Sequence, residues 1–143
     1  MDVDDAGFAE WIARSPNAVS RDPVWRLPAY RIAGYCAHLA WADVSGLAKH
    51  PVTAPVAVQL YRAVGSIGAN LAEGYSRSSG RDRVRLYEYA LGSARESAVW
   101  YALAAPVLGD SVSHERRVRL QEVVRMLLIT IPRERHRNIA LDG

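Results

Sequence analysis

Cysteine is nearly absent from this sequence: Cys36 stands alone among 143 residues, which excludes an internal disulfide framework. It lies among apolar positions at helical spacing and reads as a buried, unreactive thiol. Such usage suits a reducing, cytoplasmic setting. Lysine is equally scarce, because 17 of the 18 basic residues are arginine and only Lys49 is not. Long apolar runs are missing too. The longest uncharged one, Ser97 to Gly109, has 13 residues, against the roughly 20 that a membrane helix needs. The N-terminus carries Asp2, Asp4 and Asp5, where a secretory signal would be basic. Neither a membrane nor export is therefore expected.

The usual carriers of chemistry are also missing. His38, His50, His114 and His136 share no ligand spacing, and there is no Glu-x-x-His pair, H-E-x-x-H or C-x-x-C. A bound metal is thus not expected. The glycines form neither G-x-x-x-x-G-K nor G-x-G-x-x-G, which removes the common phosphate loops. Glu73 and Glu96 sit among small or apolar residues, and paired acids can do acid–base work. Glu73, however, falls at the C-terminal end of its helix, where the helix dipole disfavours an anion. It is read as one half of a structural ion pair, with Arg77 or Arg81 as partner. No catalytic set and no cofactor are assigned, and the chain is read as a protein that binds rather than catalyses.

What is present is helical periodicity. Half of the residues are hydrophobic, enough for one core of ordinary domain size. Residues 1–22 read as an appendage, with Phe8, Trp11 and Ile12 on one helical face and Pro16 ending it. Asp22–Pro23 is an N-cap followed by a first-turn proline. A first long helix from about Leu27 to Val44 carries Ile32, Tyr35 and Leu39 inward. A second, capped by Thr53 and closed by Gly74, carries Val56, Leu60, Val64, Ile67 and Leu71. Gly65 and Gly68 inside it each cost about 1 kcal/mol against alanine, which suggests a close helix approach or a bend. A third helix ends at Gly109, with Pro106 kinking or shortening its last turn. A fourth, capped by Ser111 or Ser113, buries Leu120, Val123, Val124, Leu127, Leu128 and Ile131 until Pro132 stops it. The expected fold is all-α: an antiparallel up-down four-helix bundle over 23–132, with a short N-terminal helical appendage (1–22) and a polar tail (133–143).

The third helix is apolar on both sides. Val84, Tyr87, Leu91, Ala94, Ala98, Tyr101, Ala105 and Leu108 recur every three and four residues, the seam of a bundle. Leu86, Tyr89, Ser93, Glu96, Trp100 and Leu103 do the same two residues away, about 200° around the helix. A bundle buries one face per helix, so the second stripe needs another cover. Another copy of the chain is the natural one, and those six residues are expected at the contact between copies. The alternative is that the N-terminal appendage lies over them.

The arginines are clustered. Arg77, Arg81, Arg83 and Arg85 surround a helix start, where positive charge opposes the dipole. From Arg116 to Arg137 seven arginines face only Glu122 and Glu134. Arg77, Arg81, Arg83, Arg85, Arg116, Arg117 and Arg119 are therefore candidates for contacts to nucleic-acid phosphates. The competing reading gives them to salt bridges within or between subunits. A helix-turn-helix reader around Gly74 is set aside, because the link from Gly74 to Gly80 exceeds that motif's turn.

The run from Gln59 to Arg77, QLYRAVGSIGANLAEGYSR, and the block from Arg85 to Glu96, RLYEYALGSARE, resemble the signature of the four-helix-bundle proteins encoded in 23S ribosomal RNA intervening sequences. The resemblance spans about residues 24–132 and is specific in these two blocks. Gly68 stands where that family has proline, Pro28 interrupts a normally helical position, and the appendage lies outside the common core. The resemblance implies a bundle that assembles as a ring, typically a homopentamer. It also implies kinship with the accessory variability determinant of diversity-generating retroelements, which binds nucleic acid and a reverse transcriptase through a basic surface. The expected partners are thus further copies of the chain, RNA or DNA, and a reverse-transcriptase-like protein. The competing function is a structural or adaptor oligomer that binds another protein and no nucleic acid.

Overall fold

The computed structural model describes residues 5–16 and 21–142, with side chains over 6–16 and 21–135. Asp2 and Asp4 lie outside the described residues. The described elements are α1 (Asp5–Ala13), a 3-10 turn (Pro23–Arg26), α2 (Pro28–Leu47), α3 (Ala54–Tyr75), α4 (Gly80–Leu108) and α5 (Asp110–Asp142). Helices α2 to α5 pack each against the next, and α5 returns to α2. The result is an antiparallel up-down four-helix bundle, with α1 laid on α2.

Local chemistry explains most boundaries. The Asp22 carboxylate accepts the Val24 N–H at 3.0 Å and starts the 3-10 turn. Pro28 then opens α2, where its missing N–H is harmless. The Ser79 hydroxyl accepts the Asp82 N–H at 3.2 Å and starts α4. Gly109, at φ +94°, is the one positive-φ residue among those described. It lets α4 reverse into α5 without a loop, because a side chain is disfavoured at that angle.

Five expectations differ. Leu128, expected on the buried side of the last helix, is 49% exposed. Thr53 occupies the cap position of α3, but its hydroxyl donates to the Leu47 carbonyl at 2.8 Å and fastens the α2–α3 connection instead. Neither serine caps α5: that helix begins at Asp110, and the buried Ser113 hydroxyl donates to the Tyr101 carbonyl at 2.8 Å. Gly74 does not end α3, which continues to Tyr75. A Cβ at Gly74 would lie 2.8 Å from the Tyr87 ring, so glycine there permits close packing of α4. Pro132 does not stop α5, which runs on to Asp142. A single proline removes one hydrogen bond, and this extension is tethered: Arg135 pairs with Glu88, and Arg83 lies 3.7 Å from Glu134.

The core is a continuous stack. Leu47, Leu60, Ile67, Leu71, Tyr87, Tyr101, Leu120 and Leu127 are all essentially fully buried. On α4 the buried line follows Tyr87, Ala90, Ala94, Ser97, Tyr101 and Ala104. Its small members let the neighbouring helices approach. The thiol of Cys36 is buried, and burial pushes its pKa up to about 12, which keeps it protonated and inert.

Candidate nucleic-acid interface and subunit-contact face

The antiparallel arrangement gathers the start of α2, the end of α3, the start of α4 and the end of α5 at one end of the bundle. Arg77, Arg81 and Arg85 are exposed there. Arg77 pairs with Glu73 at 2.8 Å across one turn, Arg85 lies 3.9 Å from Asp82 and 6.0 Å over the Tyr89 ring, and Arg81 makes no ion pair among the described residues. Exposed pairs of this kind hold their partners weakly, so all three guanidiniums can turn to another anion. Arg26 and Arg133 are exposed at the same end. Arg83 is different. Its Nε donates to the Arg77 carbonyl at 2.8 Å and its head faces Glu134, so it fastens the α3–α4 link and is not a free surface charge.

The second arginine group does not form part of that surface. Arg117 and Glu134, the partner of Arg83, are 17 residues apart on α5, about 25 Å at 1.5 Å per residue. Within the group, only Arg117 is exposed. Arg116 donates from Nε to Asp43 Oδ2 at 2.7 Å and from Nη2 to Oδ1 at 3.3 Å, and it also pairs with Glu115. The Tyr101 hydroxyl donates to the same Asp43 oxygen at 2.7 Å. Arg119 is only 3% exposed. Its Nε donates to Glu115 Oε1 at 2.5 Å, and its guanidinium stacks 4.6 Å above the Tyr35 ring. Arg119 is therefore an interior residue and Arg116 a largely buried one, and both lock α5 to α2. Their burial conflicts with the expected role in phosphate binding.

The electrostatics of this network are self-consistent. Burial, the charge of Asp43 and the hydrogen bond to it all push the Tyr101 phenol well above its ordinary pKa, so it remains a donor. Burial works against the Arg116 charge, and the hydrogen bond and charge of Asp43 outweigh it, so its pKa is raised. A legible signal was available. Asp43 falls on the stripe of α2 that includes Cys36, Ala40 and Leu47, and an acid on a buried face requires a cation.

The second stripe of α4 divides. Leu86 is buried inside the protomer, beside Gly74, and so cannot serve a contact between copies. Ser93 and Glu96 are half-buried. Glu96 is held from within the chain, accepting from Arg62 at 2.7 Å and from the Trp100 indole at 3.3 Å. Trp100 packs partly against the core. Tyr89 and Leu103 are more than half exposed, as is the neighbouring Val99. The described residues of the appendage do not cover this face: α1 lies on α2, where Trp11 reaches Tyr35 at 5.6 Å and His38 at 6.1 Å between ring centroids.

Among the described residues, no helix is long and apolar enough to cross a membrane. Nor do they include a group of three or more histidine, cysteine or acidic residues that could hold a metal ion.

The comparisons agree with this architecture. No curated protein matches the chain. A protein of unknown function from the S23 ribosomal protein family of Bacteroides thetaiotaomicron VPI-5482 has a similar crystal structure, with a TM-score of 0.68 at 20% identity. The match covers 72% of this chain and 97% of that one, and at this identity it speaks for the fold. The profile of the family described as 23S rRNA-intervening sequence protein matches residues 46–128. That span takes in both sequence blocks and most of the bundle, and the chain belongs to the 23S rRNA-intervening sequence protein family.

Proposed function

We infer that this protein is a non-catalytic, self-associating helical bundle that binds nucleic acid phosphates through the arginine end of the bundle. The observation that supports this most is the position of Arg77, Arg81 and Arg85, exposed around one helix start with only weak competition from Glu73 and Asp82. Guanidiniums in that setting bind phosphate oxygens without reading bases. The family's name connects its members to ribosomal RNA genes, which is compatible with an RNA target. Self-association is supported by Tyr89, Val99 and Leu103, which leave the outer face of α4 apolar and uncovered by the described residues. It would also repeat the arginine surface once per subunit, so a weak single site becomes a strong composite one.

The test is a fluorescence anisotropy titration of labelled structured RNA and duplex DNA at low and physiological salt, with subunit number followed by light scattering. Wild type is expected to bind both, more weakly as salt rises. Arg81→Ala/Arg85→Ala is expected to lose most of that binding while assembling normally. Each arginine removed lowers the salt slope by about 1. Absence of binding by correctly assembled wild type rejects the reading in favour of an adaptor that contacts another protein.

A further inference from the structure

A cleft of about 760 Å³ lies between α1, the 3-10 turn, α2 and α3, and the arginine surface does not account for it. Its volume falls within the range of small-ligand sites. The walls are aromatic: Trp11 from α1, Trp25 from the 3-10 turn and Tyr30 from α2. Trp25 lies 5.9 Å from Trp11 and 6.3 Å from Tyr30 between ring centroids. The floor is built from Gly65, Gly68 and the alanines beside them on α3. Glycine is a poor residue for a helix interior, and packing among the described residues does not require it here. A Cβ at Gly65 would meet nothing within 4 Å, and one at Gly68 would meet only the Tyr30 ring, at 3.9 Å. The two glycines keep the cleft open and its floor flat.

The rim is basic. Arg14 lines the cleft, while Arg21 is exposed just before the turn that carries Trp25 and Arg26 is exposed at that turn's last position. Arg31 donates to the Trp25 carbonyl at 3.2 Å and holds that wall in place. Glu10 also lines the cleft and pairs with Arg14 at 2.6 Å, and Asp22 caps the turn, so the positive charge left at the rim is that of Arg21 and Arg26. Ala72, which closes the α3 side, lies five residues before Arg77, so this side of the cleft adjoins the end of α3 that leads into the arginine surface.

We propose that this cleft takes an unpaired base from a single-stranded or looped segment of nucleic acid, whose phosphates run over Arg21 and Arg26 towards Arg77. The proposal rests on the nucleic-acid reading above and specifies its target. Aromatic walls stack on any base, and flanking guanidiniums follow the backbone. A base paired in a duplex cannot enter. A neutral apolar guest would fill the cleft but gain nothing from its rim.

The experiment compares anisotropy titrations of a labelled oligouridylate and of a fully paired duplex, using the full chain. Gly65→Leu fills the cleft from its open floor and improves the helix, so it should fold at least as well as wild type. It is expected to bind the single strand about 5- to 150-fold more weakly, the loss of one stacked base, with duplex binding unchanged. Trp25→Ala, shown to be folded by circular dichroism, is expected to do the same. Arg81→Ala/Arg85→Ala should weaken both ligands. Undiminished single-strand affinity in Gly65→Leu overturns the cleft assignment and leaves the arginine surface standing. A wild type that binds neither ligand overturns both. A change of subunit number in Gly65→Leu, without loss of strand discrimination, assigns the cleft to a contact between copies and also overturns the proposal.

Discussion

Asp43 decides how Arg116, one of the candidate arginines, is used. One carboxylate receives the Tyr101 hydroxyl and two nitrogens of Arg116, and its burial leaves no solvent to replace them. Asp43→Ala should therefore destabilise the fold by about 3 kcal/mol, the low end for breaking a buried pair. Arg117→Ala, on the exposed side of the same turn, should change stability by no more than about 0.5 kcal/mol. Urea denaturation of the two variants tests the contrast. Cys36 gives a pH signature. Its folded pKa is raised from 9.0 to about 12, so its contribution is complete below pH 9 and is lost as pH rises towards 12. In that window stability should fall by about 1.4 kcal/mol per pH unit, with Tyr101 steepening the loss above its ordinary range. Cys36→Ala should remove the part that begins near pH 9. A flat wild-type profile from pH 9 to 11 would contradict the assigned burial. Clusters of charge along a chain show where arginines are dense, but their role depends on which helix face they occupy. Arg116 and Arg119 share the buried side of α5 with Val123 and Leu127, a helical period that outweighs the local charge count.

The long helices follow from periodicity alone, and their identity and order are legible because each carries a sustained apolar stripe. Their ends are less legible. Proline and glycine act as stop signals only when nothing downstream holds the chain. At Pro132 the Arg135–Glu88 pair and the Arg83–Glu134 contact hold it. Glycine has three roles in this fold, and substitution should separate them. Gly74→Ala should cost about 1–3 kcal/mol despite better helix propensity, because the new methyl group meets the Tyr87 ring. Gly65→Ala, in open space, should stabilise by about 0.5–1 kcal/mol. Thermal melts of both variants suffice to check these opposite signs. At Gly34 a Cβ would lie 2.8 Å from Trp11, so Gly34→Ala should push α1 off α2. Limited proteolysis should then cut more readily near residues 14–21 while the bundle remains intact. Unchanged cleavage would show that α1 does not depend on that contact.

At the scale of the molecule, topology does what the linear sequence cannot: it separates two arginine clusters that composition treats alike. One presents Arg77, Arg81 and Arg85 at an exposed end of the bundle, and the other has Arg116 and Arg119 folded into the joint between α2 and α5. The two-sided character of α4 was legible, but which residues stay outside was not. Leu86 is drawn inward by the glycine opposite it, and Glu96 is neutralised by Arg62 on α3. Tyr89 and Leu103 remain as the uncovered apolar surface. The account rests on position rather than net charge, and one comparison isolates the two. Arg81→Ala/Arg85→Ala and Arg117→Ala/Arg125→Ala remove the same charge from different surfaces, all four residues being exposed. Their affinities for one structured RNA, measured by anisotropy across a salt series, are the decisive quantity. The account predicts a salt slope lowered by about 2 in the first variant and a slope close to wild type in the second. Equal losses in both would show that charge alone attracts the RNA and would contradict a defined arginine surface.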